Sequence, residues 1–283
     1  MAPGNPLLEL NLGLAYYKLN RHAHAVPHFR AVLRRQPDHS QARELLAACL
    51  IQTGAGAEAL RLLADAPSDP GILYLRGLAL SRLGREAEAR AAFAALFETA
   101  PPAQARFLAG RAKLESGQYE EAAADLEAAA RLDPTLDGID RETAKALIHL
   151  RRFEEAETRL RGALRTTPSD VESSYLLGAV LVQLGQPAAA LAELDRVIAL
   201  RPGSWAAHYY RGRALLAAQD GAAAIVALEQ ARALAPNQAP VYFQLARACQ
   251  AAGRTADAAA ARAKLAALRG AEAARDETVL PLP

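Results

Sequence analysis

The sequence predicts an all-α protein assembled from stacked helix pairs, and three observations carry that prediction. Much of the 52% hydrophobic content is alanine and only 5% of residues are aromatic, a bias that favours helix over strand. A small residue, an alanine, a bulky apolar residue and a proline recur in one fixed order along the chain. Between these landmarks, glycines and prolines fall where helices should end and begin.

The recurrence can be followed residue by residue. A glycine or alanine stands at Gly13, Ala47, Gly77, Gly110, Ala144, Gly178, Gly212 and Ala246, with spacings of 34, 30, 33, 34, 34, 34 and 34. Twelve residues after each comes an alanine, at Ala25, Ala59, Ala89, Ala122, Ala156, Ala190, Ala224 and Ala258. Four residues further stand Phe29, Leu63, Phe93, Leu126, Leu160, Leu194 and Leu228, with Arg262 in the eighth place. Prolines follow at Pro37, Pro101, Pro134, Pro168, Pro202 and Pro236, and the short second repeat carries Pro67 and Pro70.

Each residue type has a physical reason. A glycine inside a helix costs about 1 kcal/mol relative to alanine, so its return at one phase implies the close passage of another chain segment there. The alanine twelve residues on is the expected partner on the second helix. The bulky residue shares that alanine's helical face and is expected to plug the space toward the next pair. Proline ends the second helix, because it lacks an N–H and disfavours helical geometry in the residue before it.

Helix boundaries follow the same logic. Asn5-Pro6 and Asp69-Pro70 place a capping side chain before a proline suited to the first helical position. Ser169, Ser204 and Asn237 are candidate caps of later first helices. Gly54, Gly84, Gly117, Gly185 and Gly253 mark turns inside repeats as helix C-terminal glycines. Asn20, Arg151 and Gln219 hold that place in the remaining repeats where it can be read.

This code resembles the tetratricopeptide repeat, whose pattern W-x2-L-G-x2-Y, then A-x3-F, then P, recurs about every 34 residues as helix, turn, helix. The resemblance covers residues 6–270, with no tryptophan at the first position and a short second repeat as departures. It implies an α-solenoid, a right-handed superhelix of about eight helix-turn-helix repeats, with first helices lining a concave groove. Residues 1–5 are expected as an N-terminal tail and 271–283 as a disordered C-terminal one. Arg262 suits a last pair facing water. The abundance of alanine and arginine reflects a GC-rich genome, and the source is expected to be bacterial.

Composition narrows the function. With 33 basic and 31 acidic residues the formal net charge is +2, too weak a field to gather nucleic acid or an anionic membrane. No stretch approaches about 18 uninterrupted apolar residues, and a soluble, cytoplasmic chain is expected. Cys49 and Cys249 read as buried and reduced. No G-x-S-x-G, H-E-x-x-H or phosphate-loop motif occurs, so the chain is expected not to be an enzyme and to need no cofactor. His24 and His28 lie one helical turn apart with His22 nearby, but a zinc site would want further ligands, and a solvated helix start accounts for them equally well.

In this family the groove face of the first helix usually carries partner specificity, and two positions four residues apart trace it here. The first holds Tyr74, Phe107, Tyr175, Tyr209 and Phe243, and the second holds Arg111, Lys145, Arg213 and Arg247. These nine are the candidate partner-binding residues, and Phe107 with Arg111, Tyr209 with Arg213 and Phe243 with Arg247 form aromatic–basic pairs. Tyr17, Glu142, Gln183, Tyr210 and Gln244 are candidates for added polar contacts. Such a lining suits a protein or peptide ligand with acidic or aromatic side chains. The alternative is that the rings pack between repeats and the arginines are solvated, covering apolar surface with their stems. The lysine–asparagine carboxylate clamp of some family members is not matched, since Leu10, Leu14 and Leu45 stand at its positions.

A protein-interaction scaffold is therefore the leading expectation. A regulatory or substrate-selecting repeat region of a larger enzyme is the alternative. Oligomeric state is not readable from the sequence.

Overall fold

The computed structural model describes the backbone of residues 5–278 and the side chains of residues 5–270. Among the described residues there are sixteen helices and no strand. The chain divides into two compact units, Met1–Ile139 and Asp140–Pro283.

In the first unit the pairs are α1 (Pro6–Lys18) with α2 (His22–Arg35), α3 (Ser40–Gln52) with α4 (Gly56–Leu63), α5 (Pro70–Arg82) with α6 (Glu86–Thr99), and α7 (Pro102–Glu115) with α8 (Tyr119–Leu132). The second unit, from Asp140, holds α9 (Ile139–His149) with α10 (Phe153–Thr166), α11 (Val171–Gln183) with α12 (Pro187–Leu200), α13 (Trp205–Ala217) with α14 (Gly221–Leu234), and α15 (Ala239–Ala251) with α16 (Thr255–Thr278). Helix packs on helix throughout, so the chain is an α-solenoid. The last helix runs on past Gly270 into the segment expected as a tail; residues 279–283 of that tail, and 1–4 of the N-terminal one, lie outside the described residues.

All eight turn positions read from the sequence have left-handed backbone. Gly54, Gly84, Gly117, Gly185 and Gly253 take φ between 70° and 83°, while Asn20, Arg151 and Gln219 take 55°, 60° and 62°. The side-chain caps agree in part. Asn5, Asp69 and Ser204 accept from Leu7, Ile72 and Ala207 backbone N–H groups as expected. Ser169 and Asn237 do not cap: Asp170 caps α11, accepting from Glu172 N, and α15 follows Gln238 with no side-chain cap.

The recurring glycine has a nearer neighbour than the alanine expected beside it. A Cβ on Gly13, Gly77, Gly110, Gly178 or Gly212 would come within 2.5 to 2.7 Å of Phe29, Phe93, Leu126, Leu194 or Leu228 respectively. The bulky residue of the same pair comes nearest to the glycine, and at Gly110 the carbonyl of Ala122, the alanine expected there, lies next at 3.2 Å. Plugs and other apolar side chains join in one cluster across successive pairs, Phe29 and Leu63 with Leu50 and Leu78 in the first unit, Leu160 and Leu194 with Leu181 and Val197 in the second.

The short second repeat has its own repair. Helix α4 stops at Leu63, and Arg76 of the following repeat donates through one terminal nitrogen to the carbonyls of Leu63, Ala64 and Ala66, at 2.5, 3.0 and 3.0 Å. The Leu63 carbonyl already accepts from Ala66 N–H at 3.2 Å, so Arg76 adds a second donor there and supplies one to the Ala64 and Ala66 carbonyls just past the end of an eight-residue helix.

Candidate functional site

The candidate residues sit on first helices, α5 and α7 in the first unit and α9, α11, α13 and α15 in the second. Each unit forms its own polar constellation, and the two differ.

In the first unit the centre is Glu115, at the end of α7. One carboxylate oxygen accepts from the Tyr74 hydroxyl at 3.0 Å. The other accepts from Arg82 at 3.0 Å and from Gln52 at 3.3 Å. Arg82 also donates to the Ile51 carbonyl at 2.9 Å. Side chains of α3, α5 and α7 are thus tied across three successive repeats. Arg111 stands beside this knot, its guanidinium 5.3 Å from the Tyr74 ring centroid and 5.7 Å from that of Phe107, within reach of cation–π attraction. Tyr17 belongs to the same neighbourhood: burial pushes its phenol up, Arg111 draws it the other way, and Cys49 and Glu115 add to the rise. Tyr74 is only 6% exposed, so it serves as backing for Arg111 and anchor for Glu115, with little ring surface of its own to offer. Phe107 is partly buried against the core of this unit.

In the second unit the α9 end sets two cations among three acids. Lys145 pairs with Glu142 at 3.1 Å and with Glu172 at 2.8 Å. Arg141 donates to Asp170 at 2.6 Å and lies 3.6 Å from both Glu142 and Glu172. Burial pushes the Asp170 carboxyl up, but the Ser173 hydroxyl and the Arg141 guanidinium outweigh it and hold the group below its ordinary value. Lys145, expected as a groove cation for a partner, is therefore already occupied by two acids of its own unit, and Glu142, expected as a polar contact, is buried in that pairing.

Farther along, the balance changes. Tyr175, Tyr210, Tyr209 and Trp205 form a chain of rings with centroids 5.8, 5.2 and 6.3 Å apart. Burial, with neighbouring tyrosines adding, holds the Tyr175 phenol far above its ordinary value, so it remains a neutral donor. Arg213 spans Tyr209 and Tyr210 at 5.8 and 5.2 Å and donates to the Gln183 side chain at 3.4 Å. Phe243 is 47% exposed. Arg247 is exposed on the same helix, four residues on, and donates to the side chain of the buried Gln244 at 3.1 Å.

Three residues escaped the sequence reading. Glu115 lies four residues after Arg111 on the same helical face, a spacing that would have flagged it. Glu172 stands three before Tyr175 on its helix, and Trp205 four before Tyr209. The histidines are taken up by rings: Tyr16 stacks on His24 and His28 at 5.5 Å each, and His28 meets Glu9 at 2.8 Å. Cys49 and Cys249 are free and buried, and burial pushes the Cys49 thiol up to about 11. Among the described residues, no helix is long and apolar enough to cross a membrane, and no group of three His, Cys, Asp or Glu side chains could hold a metal ion.

Helix pairs with a shared glycine–plug code and a polar first-helix face define a helical-repeat scaffold. Comparison with known proteins gives the particular family: a tetratricopeptide repeat profile matches residues 10–72, 74–137 and 175–239, and a second tetratricopeptide repeat profile matches 113–180. The chain belongs to the tetratricopeptide repeat family, whose members bind protein partners.

No curated protein matches it in sequence, but solved structures do in fold. A structure titled MamA RS-1 ArsTM double mutant is 25% identical, covering 61% of this chain and 97% of its own, with a TM-score of 0.56. MamA 41-end from Desulfovibrio magneticus RS-1 is also 25% identical, covering 62% and 98%, with a TM-score of 0.54. The Cut9–Hcn1 hetero-tetramer of the APC/C is similar at 18% identity and a TM-score of 0.68, over 92% of this chain and 52% of that one. This last likeness speaks for the fold alone.

Proposed function

We propose that this protein is a non-catalytic interaction scaffold that holds an extended peptide or docked helix with acidic side chains on the first-helix face of its second unit. The observation that supports this reading is Arg213. Its guanidinium lies over two tyrosine rings and has a neutral amide as its hydrogen-bond partner, in contrast to Lys145 and Arg141, which are paired with acids. An arginine held flat by aromatic faces keeps donors available for a carboxylate in a fixed fork. Exposed Phe243 and Arg247 on the next first helix extend the same chemistry, aromatic area beside a cation. Tyr175 and Tyr209 serve as the wall behind it. Tyr74, Phe107 and Arg111 form a second, more enclosed surface in the first unit.

The test is charge reversal at Arg111, Arg213 and Arg247 together, with recovery of partners from the source cell by affinity purification and mass spectrometry. Loss of the recovered partner with unchanged helical circular dichroism is the expected result. Retained binding would move the interaction off these faces.

A further inference from the structure

The bulky residues that close the helix pairs, Phe29, Leu63, Leu126, Leu160, Leu194 and Leu228, are all 0% exposed. Phe93 of the third pair is only partly buried. One turn on, Phe97 is 47% exposed, although Leu33, Leu164 and Ile198 at the same repeat position pack against their cores. The connection explains the difference. Helices α6 and α7 are joined by Ala100 and Pro101 alone, whereas residues 36–39, 167–170 and 201–204 join the equivalent helices elsewhere. A joint this short, stiffened by proline, leaves α7 unable to close over the far face of α6. A cleft of about 460 Å³ remains between α6, α7 and α8.

Its walls and floor differ in chemistry. Phe93, Ala94 and Phe97 line one side and Ala109 and Ala112 the other. Lys113 of the lining donates to one oxygen of the buried Asp125 at 2.6 Å, and Arg106, outside the lining, donates to the other at 3.0 Å. Within the lining Lys113 and Arg90 stand against Asp125 and Glu86; Arg106, covering Asp125 from outside, tips the balance to positive, and a lysine ammonium carries three donors, of which Asp125 takes one. Arg90 lines the cleft from the exposed side of α6, with Glu86 one turn before it. An apolar slot with a few convergent polar groups, in the range of about 300–1,000 Å³, is the usual form of a small-molecule site.

We propose that this cleft binds a small amphipathic anion, a medium-chain or aryl carboxylate, with its apolar body between Phe93 and Phe97 and its carboxylate at Lys113 and Arg90. The site is separate from the first-helix faces and does not depend on their partner.

Isothermal titration of the full chain with decanoate, below its micellar concentration, tests it. Saturable binding at one site is expected. Ala94→Trp, which fills the slot from an exposed position, should weaken binding at least about tenfold, or 1.4 kcal/mol. Arg90→Glu should weaken it several-fold and abolish the preference for decanoate over decanol. Phe97→Ser, also at an exposed position, provides a variant whose folding is not at risk, and circular dichroism melting should be unchanged in all three. Absence of saturable heat with the wild-type chain, or wild-type affinity in Ala94→Trp and Phe97→Ser, overturns the proposal.

Discussion

The first-helix faces of the two units carry arginines in the same repeat register, yet their surroundings differ. In the first unit, Tyr74, Arg82 and Gln52 converge on Glu115, and Arg111 lies over the Tyr74 ring that this knot holds in place. In the second, acids gather at the α9 end around Lys145 and Arg141, while Arg213 and Arg247 meet amides and rings. Position in a repeat code thus sets where a cation points. Whether that cation is available depends on acids supplied by neighbouring repeats.

The largest effect that sharpens this contrast comes from dividing the triple charge reversal. Arg213→Glu with Arg247→Glu should lower partner affinity by at least about 2 kcal/mol, in the range of a buried charge-pair loss, while Arg111→Glu alone should cost less than half of that. Equal losses by surface plasmon resonance with the purified partner would erase the distinction between the units.

Stability gives the next largest effect. Glu115→Ala leaves the Tyr74 hydroxyl and Arg82 without their shared acceptor and should destabilise the first unit by about 1–2 kcal/mol. Urea unfolding should register that loss while partner affinity stays within twofold.

Acid should act on the second unit. The folded Asp170 carboxyl titrates below its ordinary value, so its contribution is present above the unfolded pKa of about 3.9 and is lost as pH falls through the folded value. Urea midpoints compared between pH 5 and pH 3 should therefore drop less in Asp170→Asn than in the wild-type chain. An identical drop would show that the Arg141 pair does not couple to folding.

The smallest effect concerns the turns. Gln219 holds φ at 62°, a conformation that costs a residue with a Cβ about 1–2 kcal/mol. Gln219→Gly relieves that strain but loosens the unfolded chain, so a net gain of about 0.5–1 kcal/mol is expected in thermal melts. Arg151→Gly should behave alike, and neither should alter partner binding.

These turns are legible in the sequence because a helix stop within a repeat is a local demand, met by one residue. The caps expected at Ser169 and Asn237 fall one residue early, since Asp170 and Gln238 stand beside them and the boundary depends on where the preceding proline leaves the chain. The plug comes nearer the glycine than the alanine does, because helical phase gives the shared face of the two but not which side chain reaches farther across. On the site, the ring–arginine pairs of Phe107 with Arg111 and Tyr209 with Arg213 follow from i to i+4 spacing. The pairing of Lys145 follows only in half: Glu142 stands three residues before it on the same helix, but Glu172 reaches it from the next repeat, where spacing along one helix gives no guidance.

Arg76 carries a consequence for how such a chain can be taken apart. It belongs to the third repeat, yet its guanidinium finishes the last turn of the second. The unit of inheritance read from the sequence period and the unit of mechanical closure are therefore offset here by half a repeat. Trimming, duplicating or shuffling the chain at the sequence boundary near Pro67 would sever the seal, whereas a cut placed after α5 would carry it along.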